Sequence, residues 1–331
     1  MNIYLIPTMG SLHLRYPSYN ALSVSDLLSQ YNPESIAITS LSKNEYDKPQ
    51  WQDSPEIVLP LAVMPWAKKR GLDVHFVKEP SPDAKAYQDF RRYAQNHPDL
   101  QNKLYQSEIV LRPLEELLSQ ALSIGRILKE LVPIIYESQK LEEELLEEGP
   151  ATNWRRSRSK TMAKRILAIA RQSVAVLVAI DDYPFLKEEL EKEANIIETK
   201  KIAASPAAKQ RSLLDFAFRT EVANPEELLE SLEAIASPEA YYHMGNILLH
   251  NGHFDAALEK LVAASKTDFS QPYFLAGYLL ARLGQVYDLQ GNRNMAQKSY
   301  RGVLALDYAP KDAITAAQEG LAQAFKAQAS I

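Results

Sequence analysis

The chain has 331 residues, of which 46% are hydrophobic and 24% are charged, and its formal net charge is −5. This length favours about two domains, and the composition is typical of a globular protein with packed cores. The negative net charge argues against a general nucleic-acid binder. Because there is no cysteine, disulfides, thiolate zinc sites and a cysteine nucleophile are excluded.

The sequence carries neither a targeting signal nor a membrane signal. Residues 1–7 lack a basic region and are too short for the apolar core of a signal peptide. No apolar run reaches the roughly 20 residues that a membrane helix needs. We therefore expect a cytoplasmic protein that does not bind membranes.

The first two hundred residues alternate between strand-like and helix-like segments. Short apolar runs predict strands at residues 3–7, 35–41, 73–78, 173–180 and 196–200. Apolar residues at spacings of three and four predict helices at residues 23–31, 57–70, 82–94, 100–123, 127–148, 159–172 and 185–194. Such alternation is typical of a mostly parallel sheet with flanking helices, so we expect an α/β domain over residues 1–202.

Polar residues gather where the predicted strands end. His13 follows the first strand, Glu79 follows the third and Asp182 follows the fourth. Open α/β sheets bind ligands at the carboxyl ends of their strands. His13 is thus a candidate metal ligand or base, Asp182 a metal ligand or acid, and Glu79 a supporting carboxylate. Each also has a structural interpretation, because a single histidine is often held by hydrogen bonds and Asp-Asp-Tyr-Pro is typical of a turn.

A basic cluster opens the predicted helix before the fourth strand, and it consists of Arg155, Arg156, Arg158 and Lys160. Cations at a helix N-terminus oppose the helix dipole. Their concentration there indicates a bound anion, such as a phosphate or carboxylate of a small molecule. In the alternative interpretation, the same residues pair with the acidic run at residues 142–148. The sequence leaves both interpretations open.

Beyond a short linker at residues 203–208, the predicted segments are all helical. Two helical hairpins can be aligned on Gly245 and Gly284, which places Ala257 opposite Ala296 where the paired helices would cross. The predicted hairpins cover residues 213–236, 238–269 and 277–310, and a closing helix follows at 312–326. The pattern resembles the tetratricopeptide repeat. The resemblance implies an all-α repeat domain over residues 203–331 that binds a protein partner.

The strand-end residues of the first part also carry a resemblance. The first strand is followed by Gly-Ser-Leu-His, ending at His13, and Arg158 precedes a Met-Ala pair at the start of a helix. In their order these features resemble the TraB/Tiki superfamily, which is related to the erythromycin-esterase-like and ChaN-like proteins. The sequence departs from the superfamily pattern at Thr39, where a glutamate is usual, and at Asp182, where a histidine is usual.

The resemblance implies two alternatives for function. In one, residues 1–202 are a divergent hydrolase or ligand-binding domain, with His13 and Asp182 as the ligands of a divalent metal cofactor. Arg158 then clamps an anionic group with the help of Arg155 or Arg156, and repeats at the C-terminus bind a protein. In the other, the loss of the glutamate at Thr39 marks a pseudoenzyme, a catalytically inactive scaffold that acts through its repeats.

Overall fold

The computed structural model describes residues 1–81, 84–147, 149, 152, 154–169, 171–199, 201–219 and 225–326. The chain divides into two compact units. The first unit contains Met1–Tyr46 and Ala62–Ser205, and the second contains Asp47–Leu61 together with the chain from Pro206 onward. The sequence placed Asp47–Leu61 in the α/β domain, so its membership of the second unit was not predicted.

The first unit is built on a sheet of five strands. They are β1 (Asn2–Thr8), β2 (Ser35–Ile38), β3 (Asp73–Phe76), β4 (Ser173–Ala179) and β5 (Asn195–Ile197). Their order is β3-β2-β4-β1-β5, and all the pairings are parallel. β1 and β4 pair from Asn2 opposite Ser173 to Thr8 opposite Ala179. The mostly parallel sheet predicted from the sequence is confirmed.

Helices flank this sheet. They are α1 (Ala21–Tyr31), α2 (Lys43–Tyr46), α3 (Met64–Arg70), α4 (Ala84–Gln95), α5 (Pro98–Ile109), α6 (Arg112–Ser119), α7 (Ile124–Arg126), α8 (Val132–Leu145), α9 (Arg155–Leu167) and α10 (Tyr183–Glu191). Short 3-10 segments occur at Gly10–Arg15 and Pro17–Tyr19, and a π-helical segment at Ile127–Leu131 precedes α8. The predicted helix start at residue 82 and helix end at residue 148 lie outside the described residues.

The core of the first unit lies where β1 and β4 pack against α9 and α10. Its buried side chains include Ile3, Leu5, Val174, Val176, Met162, Ile166, Leu186 and Leu190. The sequence of β4 is a continuous apolar run because both faces of this parallel strand are buried, so neither face carries polar side chains. α9 begins at Arg155, earlier than the predicted residue 159, so the basic cluster lies within its first turns.

The second unit is helical. Its helices are α11 (Pro206–Arg219), α12 (Pro225–Ile235), α13 (Pro238–His250), α14 (Phe254–Ser265), α15 (Leu275–Leu289), α16 (Arg293–Leu304) and α17 (Lys311–Ala322), with a 3-10 segment at Pro49–Asp53. Residues 220–224, which fall within the predicted hairpin at residues 213–236, lie outside the described part of the chain. Among the helices that the structure describes, none is long and apolar enough to cross a bilayer.

The two aligned hairpins, α13 with α14 and α15 with α16, pack as predicted. The side chain of Leu261 lies over Gly245, and the ring of Tyr300 lies over Gly284. Ala257 and Ala296 are fully buried. A glycine on the first helix and an alanine on the second therefore let the two helices of each hairpin approach closely.

Candidate functional site

His13 lies in the 3-10 segment that follows β1, and its side chain is fully buried. Its Nδ1 lies 2.7 Å from the carbonyl oxygen of Tyr19, and its Nε2 accepts a hydrogen bond of 3.0 Å from the backbone N–H of Met9. These partners assign the proton to Nδ1. Burial lowers the pKa of His13 to about 4, so the ring is neutral at pH 7. With both nitrogens bound to the backbone, the imidazole fixes the turn after β1.

Arg158 and Asp182 form a buried ion pair. Nη2 of Arg158 donates a hydrogen bond of 2.8 Å to Oδ2 of Asp182, and Nη1 donates one of 2.7 Å to Oγ of Ser81. Each of the two charged residues is only 8% exposed. Burial raises the pKa of Asp182, and the guanidinium of Arg158 opposes that rise. The structure therefore brings together two of the four predicted catalytic residues.

Several buried polar atoms around this pair lack hydrogen-bond partners. Within the described part of the chain, Nε of Arg158 and Oγ of Ser159 are buried without one. The same holds for Oε1 of Gln139, whose Nε2 donates a hydrogen bond of 2.6 Å to the carbonyl of Asp181. Unsatisfied buried polar atoms are uncommon in folded proteins. These atoms could accept or donate further hydrogen bonds to a polar ligand next to the ion pair.

Glu79 has a different partner. Its Oε2 lies 2.5 Å from Nη2 of Arg165, and Nη1 of Arg165 donates a hydrogen bond of 2.8 Å to the carbonyl of Lys78. Glu79 thus helps to attach α9 to the segment after β3. Ser81, farther along the same segment, contacts Arg158 instead. Sequence reasoning missed Ser81, because a single serine after a strand carries no distinctive signal.

The basic cluster is largely paired with carboxylates. Arg155 lies 2.5 Å from Glu142, and Arg156 lies 2.6 Å from Glu143 and 3.0 Å from Glu188. This is the pairing with the acidic run that the sequence left open as an alternative. α8 and α10 supply these glutamates. The positive charges of Arg155 and Arg156, which led to the prediction of a bound phosphate or carboxylate, are therefore neutralised within the protein.

The residues do not fit a divalent metal. The ring nitrogens of His13 are bound to the backbone, and the carboxylate of Asp182 faces Arg158. Thr39, where the resemblance described above leads one to expect a glutamate, accepts a hydrogen bond of 3.2 Å from the backbone N–H of Ala179. In the part of the chain that the structure describes, no group of three or more His, Asp or Glu side chains is placed to hold a metal ion. Lys160, the remaining member of the basic cluster, is exposed.

A second candidate site lies on the helical repeats. We call it the α13/α15 surface, and it consists of the buried Tyr242 and the half-buried Asn246, Tyr278, Arg282 and Gln285. Nη1 of Arg282 donates a hydrogen bond of 2.7 Å to Oε1 of Gln285. The side chains of Asn246 and Arg282 both form hydrogen bonds with the hydroxyl group of Tyr242. Burial raises the pKa of this hydroxyl group. Tyrosine and arginine side chains are enriched at the centres of protein interfaces.

The comparisons with known proteins bear on the second unit. A search of curated proteins and a search of solved structures give no match. The resemblance of residues 1–202 to the TraB/Tiki superfamily therefore stays a prediction. The family model of the tetratricopeptide repeat matches residues 277–310, which contain most of α15 and all of α16. The hairpin of α15 and α16 is thus similar to a tetratricopeptide repeat, as its glycine and alanine positions predicted.

Proposed function

We propose that this protein is a protein-binding module whose helical repeats hold a partner. The observation that carries the proposal is the tetratricopeptide repeat at residues 277–310, preceded by a hairpin with the same packing pattern. Repeats of this kind stack into extended surfaces that bind other proteins. In this proposal the protein is a scaffold, which is one of the two functions expected from the sequence.

The α13/α15 surface supports this proposal through its charge. The hydrogen bonds of Arg282 go to the neutral oxygens of Gln285 and Tyr242. A guanidinium held this way keeps its positive charge available and forms its strongest hydrogen bonds with carboxylates. Oδ1 of Asn246 is buried without a hydrogen-bond partner among the described residues, so a donor from a partner would satisfy it. We therefore propose a partner segment that presents an acidic group to Arg282.

The test compares two charge reversals in the full chain. Arg282→Glu inverts the charge of the α13/α15 surface, and Arg301→Glu makes the same change at an exposed position on α16. Partners captured from the source cells by the wild type are purified, and their binding is measured by biolayer interferometry. We expect Arg282→Glu to weaken binding at least tenfold and Arg301→Glu to leave it unchanged. Equal binding to all three proteins would contradict the proposal.

A second candidate function, ligand binding or hydrolase-like chemistry in the first unit, is favoured by the unsatisfied polar atoms around Arg158 and Asp182. A ligand that binds only the folded state raises the melting temperature. We expect a panel of phosphorylated and carboxylated metabolites to contain a stabilising member at low ionic strength. Arg158→Ala should remove that effect, whereas Arg171→Ala, at an exposed ion pair with Asp73, should keep it. A panel without any stabilising compound would exclude an anion site here.

A further inference from the structure

The segment of residues 47–61 is part of the second unit although its neighbours in sequence, Tyr46 and Ala62, belong to the first. We call it the 47–61 segment. Its first half forms a 3-10 helix, and its side chains at Val58 and Leu59 are completely buried. The 47–61 segment therefore leaves the first unit and packs as part of the second, helical unit.

Three contacts attach the 47–61 segment to the repeat unit. Nε2 of Gln50 donates a hydrogen bond of 3.4 Å to the carbonyl of Asp307. The carboxyl group of Asp53 accepts a hydrogen bond from the backbone of Lys311. The side chain of Leu61 packs against an apolar cluster drawn from α13, α14, α15 and the residues before α15. Two polar anchors and one apolar anchor thus hold an irregular piece of chain.

The Asp53 contact completes a helix end. α17 begins at Lys311, and the residue before it is Pro310, which provides no side-chain cap. The first amides of a helix lack partners within the helix and favour a negative charge nearby. Asp53 supplies that charge from a distant part of the chain. The carboxylate of Asp53 therefore acts as a cap for α17 at this face.

The same face adjoins the α13/α15 surface at Tyr278. Burial raises the pKa of Tyr278 to about 12, and the charges of Asp312 and Asp53 add to the rise. Tyr273 lies close to Asp53 as well, and burial together with that charge raises its pKa. Aromatic rings and a helix N-terminus thus meet where the 47–61 segment lies.

We propose that this face is a peptide-binding face that the 47–61 segment occupies within its own chain, and that a partner reaches it with a peptide of the same chemistry. That peptide carries a carboxylate to cap α17 and an apolar side chain at the spacing of Leu61 from Asp53. An occupant tethered in the same chain has an effective concentration in the millimolar range. A partner peptide must therefore displace the 47–61 segment, which makes the segment a built-in competitor.

The inference rests on the proposed function in one respect, namely that a partner protein supplies the peptide. Its test uses a probe of known sequence, so that a failure of this inference can be distinguished from a failure of the proposed function. The probe is a fluorescein-labelled synthetic peptide of residues 47–61, and its binding to full-length proteins is measured by fluorescence anisotropy. The proteins are the wild type, an Asp53→Ala/Leu61→Ala variant whose segment is loosened, and a Met295→Ala control at an exposed site on α16.

We expect the double variant to bind the probe at least tenfold more tightly than the wild type and the Met295→Ala control do. A probe carrying the same two alanines should bind the double variant at least tenfold more weakly. The inference is overturned if the folded double variant, checked by circular dichroism, binds the probe no better than the wild type. It is also overturned if light scattering shows that the segment is exchanged between two copies of the chain.

Hydrogen exchange on the wild type gives a readout that does not depend on the folding of a variant. Excess unlabelled peptide should displace the 47–61 segment and speed the exchange of its amides. The peptide with alanine at both anchor positions should have no such effect. Exchange that is unchanged at millimolar concentrations of the natural peptide would overturn the inference.

Discussion

At Gly284 the packing of α15 against α16 leaves no room for a methyl group. A Cβ atom there would lie 2.6 Å from Cδ1 and 2.7 Å from Cζ of Tyr300, a fully buried ring. We expect Gly284→Ala to destabilise the fold by about 1–3 kcal/mol through overpacking, although alanine favours helices. At Gly302 a Cβ would meet only the flexible end of Leu280, at 3.3 Å.

Gly302→Ala is therefore the matched control for Gly284→Ala, since both glycines lie within helices of one hairpin. The control should stay within about 1 kcal/mol of the wild type, with helix propensity acting in its favour. Urea unfolding of the two variants measures the difference. Equal stabilities would show that the Gly284 position does not set the helix spacing.

His13 predicts a pH dependence of stability. Burial lowers its pKa from 6.5 to about 4 in the folded state. Between these two values the unfolded chain binds a proton that the folded chain does not, so stability falls as the pH falls from 6.5 to 4. At about 1.4 kcal/mol per pH unit, this group accounts for about 3 kcal/mol over that window.

The check for His13 is the free energy of unfolding in urea at a series of pH values. His13→Gln should flatten the dependence between pH 6.5 and 4, even though it lowers stability at every pH by disturbing the backbone hydrogen bonds. His250→Gln, at an exposed position on α13, should keep the slope of the wild type. A His13→Gln slope equal to that of the wild type would show that the buried ring is not the group that titrates.

At the scale of elements, a buried ion pair joins α11 to α13. Both terminal nitrogens of Arg211 donate hydrogen bonds of 2.7 Å to the carboxylate of Glu239, and Nε donates one of 2.8 Å to Asp215. Arg211→Met would leave two buried carboxylates without their cation, so we expect a loss of about 3–5 kcal/mol. The control is Lys260→Met, from an exposed pair with Glu233, and it should cost at most about 1 kcal/mol.

Thermal unfolding followed by circular dichroism measures the Arg211 and Lys260 variants side by side. A loss for Arg211→Met no larger than that for Lys260→Met would mean that α11 is held by apolar contacts alone. The comparison is informative because both substitutions remove one cation from the same unit. They differ in the burial of the partner that is left behind.

The elements themselves were largely predictable, for physical reasons. β4 is buried on both faces, so its apolar residues form an unbroken run that is visible in the sequence. The repeats were visible because only a small residue fits beneath Leu261 or Tyr300, which fixes glycine at both equivalent positions. Helix ends were less accurate, as the early start of α9 at Arg155 shows.

The site was only partly predictable from the sequence, because its contacts depend on the conformation of the loops between the strands and helices. The sequence placed Asp182 at a strand end and Arg158 at the start of a helix, and the structure brings the two into contact. No sequence pattern could show that the 3-10 turn after β1 would bring the carbonyl of Tyr19 onto His13. The membership of the 47–61 segment in the second unit was equally hidden, since the apolar periodicity that predicted a helix from residue 57 does not indicate which unit the helix packs against.

For the molecule as a whole, the division into two units predicts where the chain is cut. The predicted boundary at residues 202 and 203 lies next to the division between Ser205 and Pro206. Lys201 is exposed in the irregular segment before α11, where proteolysis is favoured, and Lys209 is exposed in the first turn of α11. We expect limited trypsin treatment to cut between residues 199 and 211. Early cuts at Lys187 or Lys192, in and just after α10, would contradict this division.

The two fragments should remain together after that cut. The N-terminal fragment carries the 47–61 segment, whose anchors at Asp53 and Leu61 belong to the second unit. We expect the nicked wild type to elute from a gel-filtration column as one species. The nicked Asp53→Ala/Leu61→Ala variant should separate into two fragments more readily, because its segment has lost two of its three anchors. Wild-type fragments that separate freely would mean that the 47–61 segment contributes little to the second unit, and the competition proposed for that face would lose its physical basis.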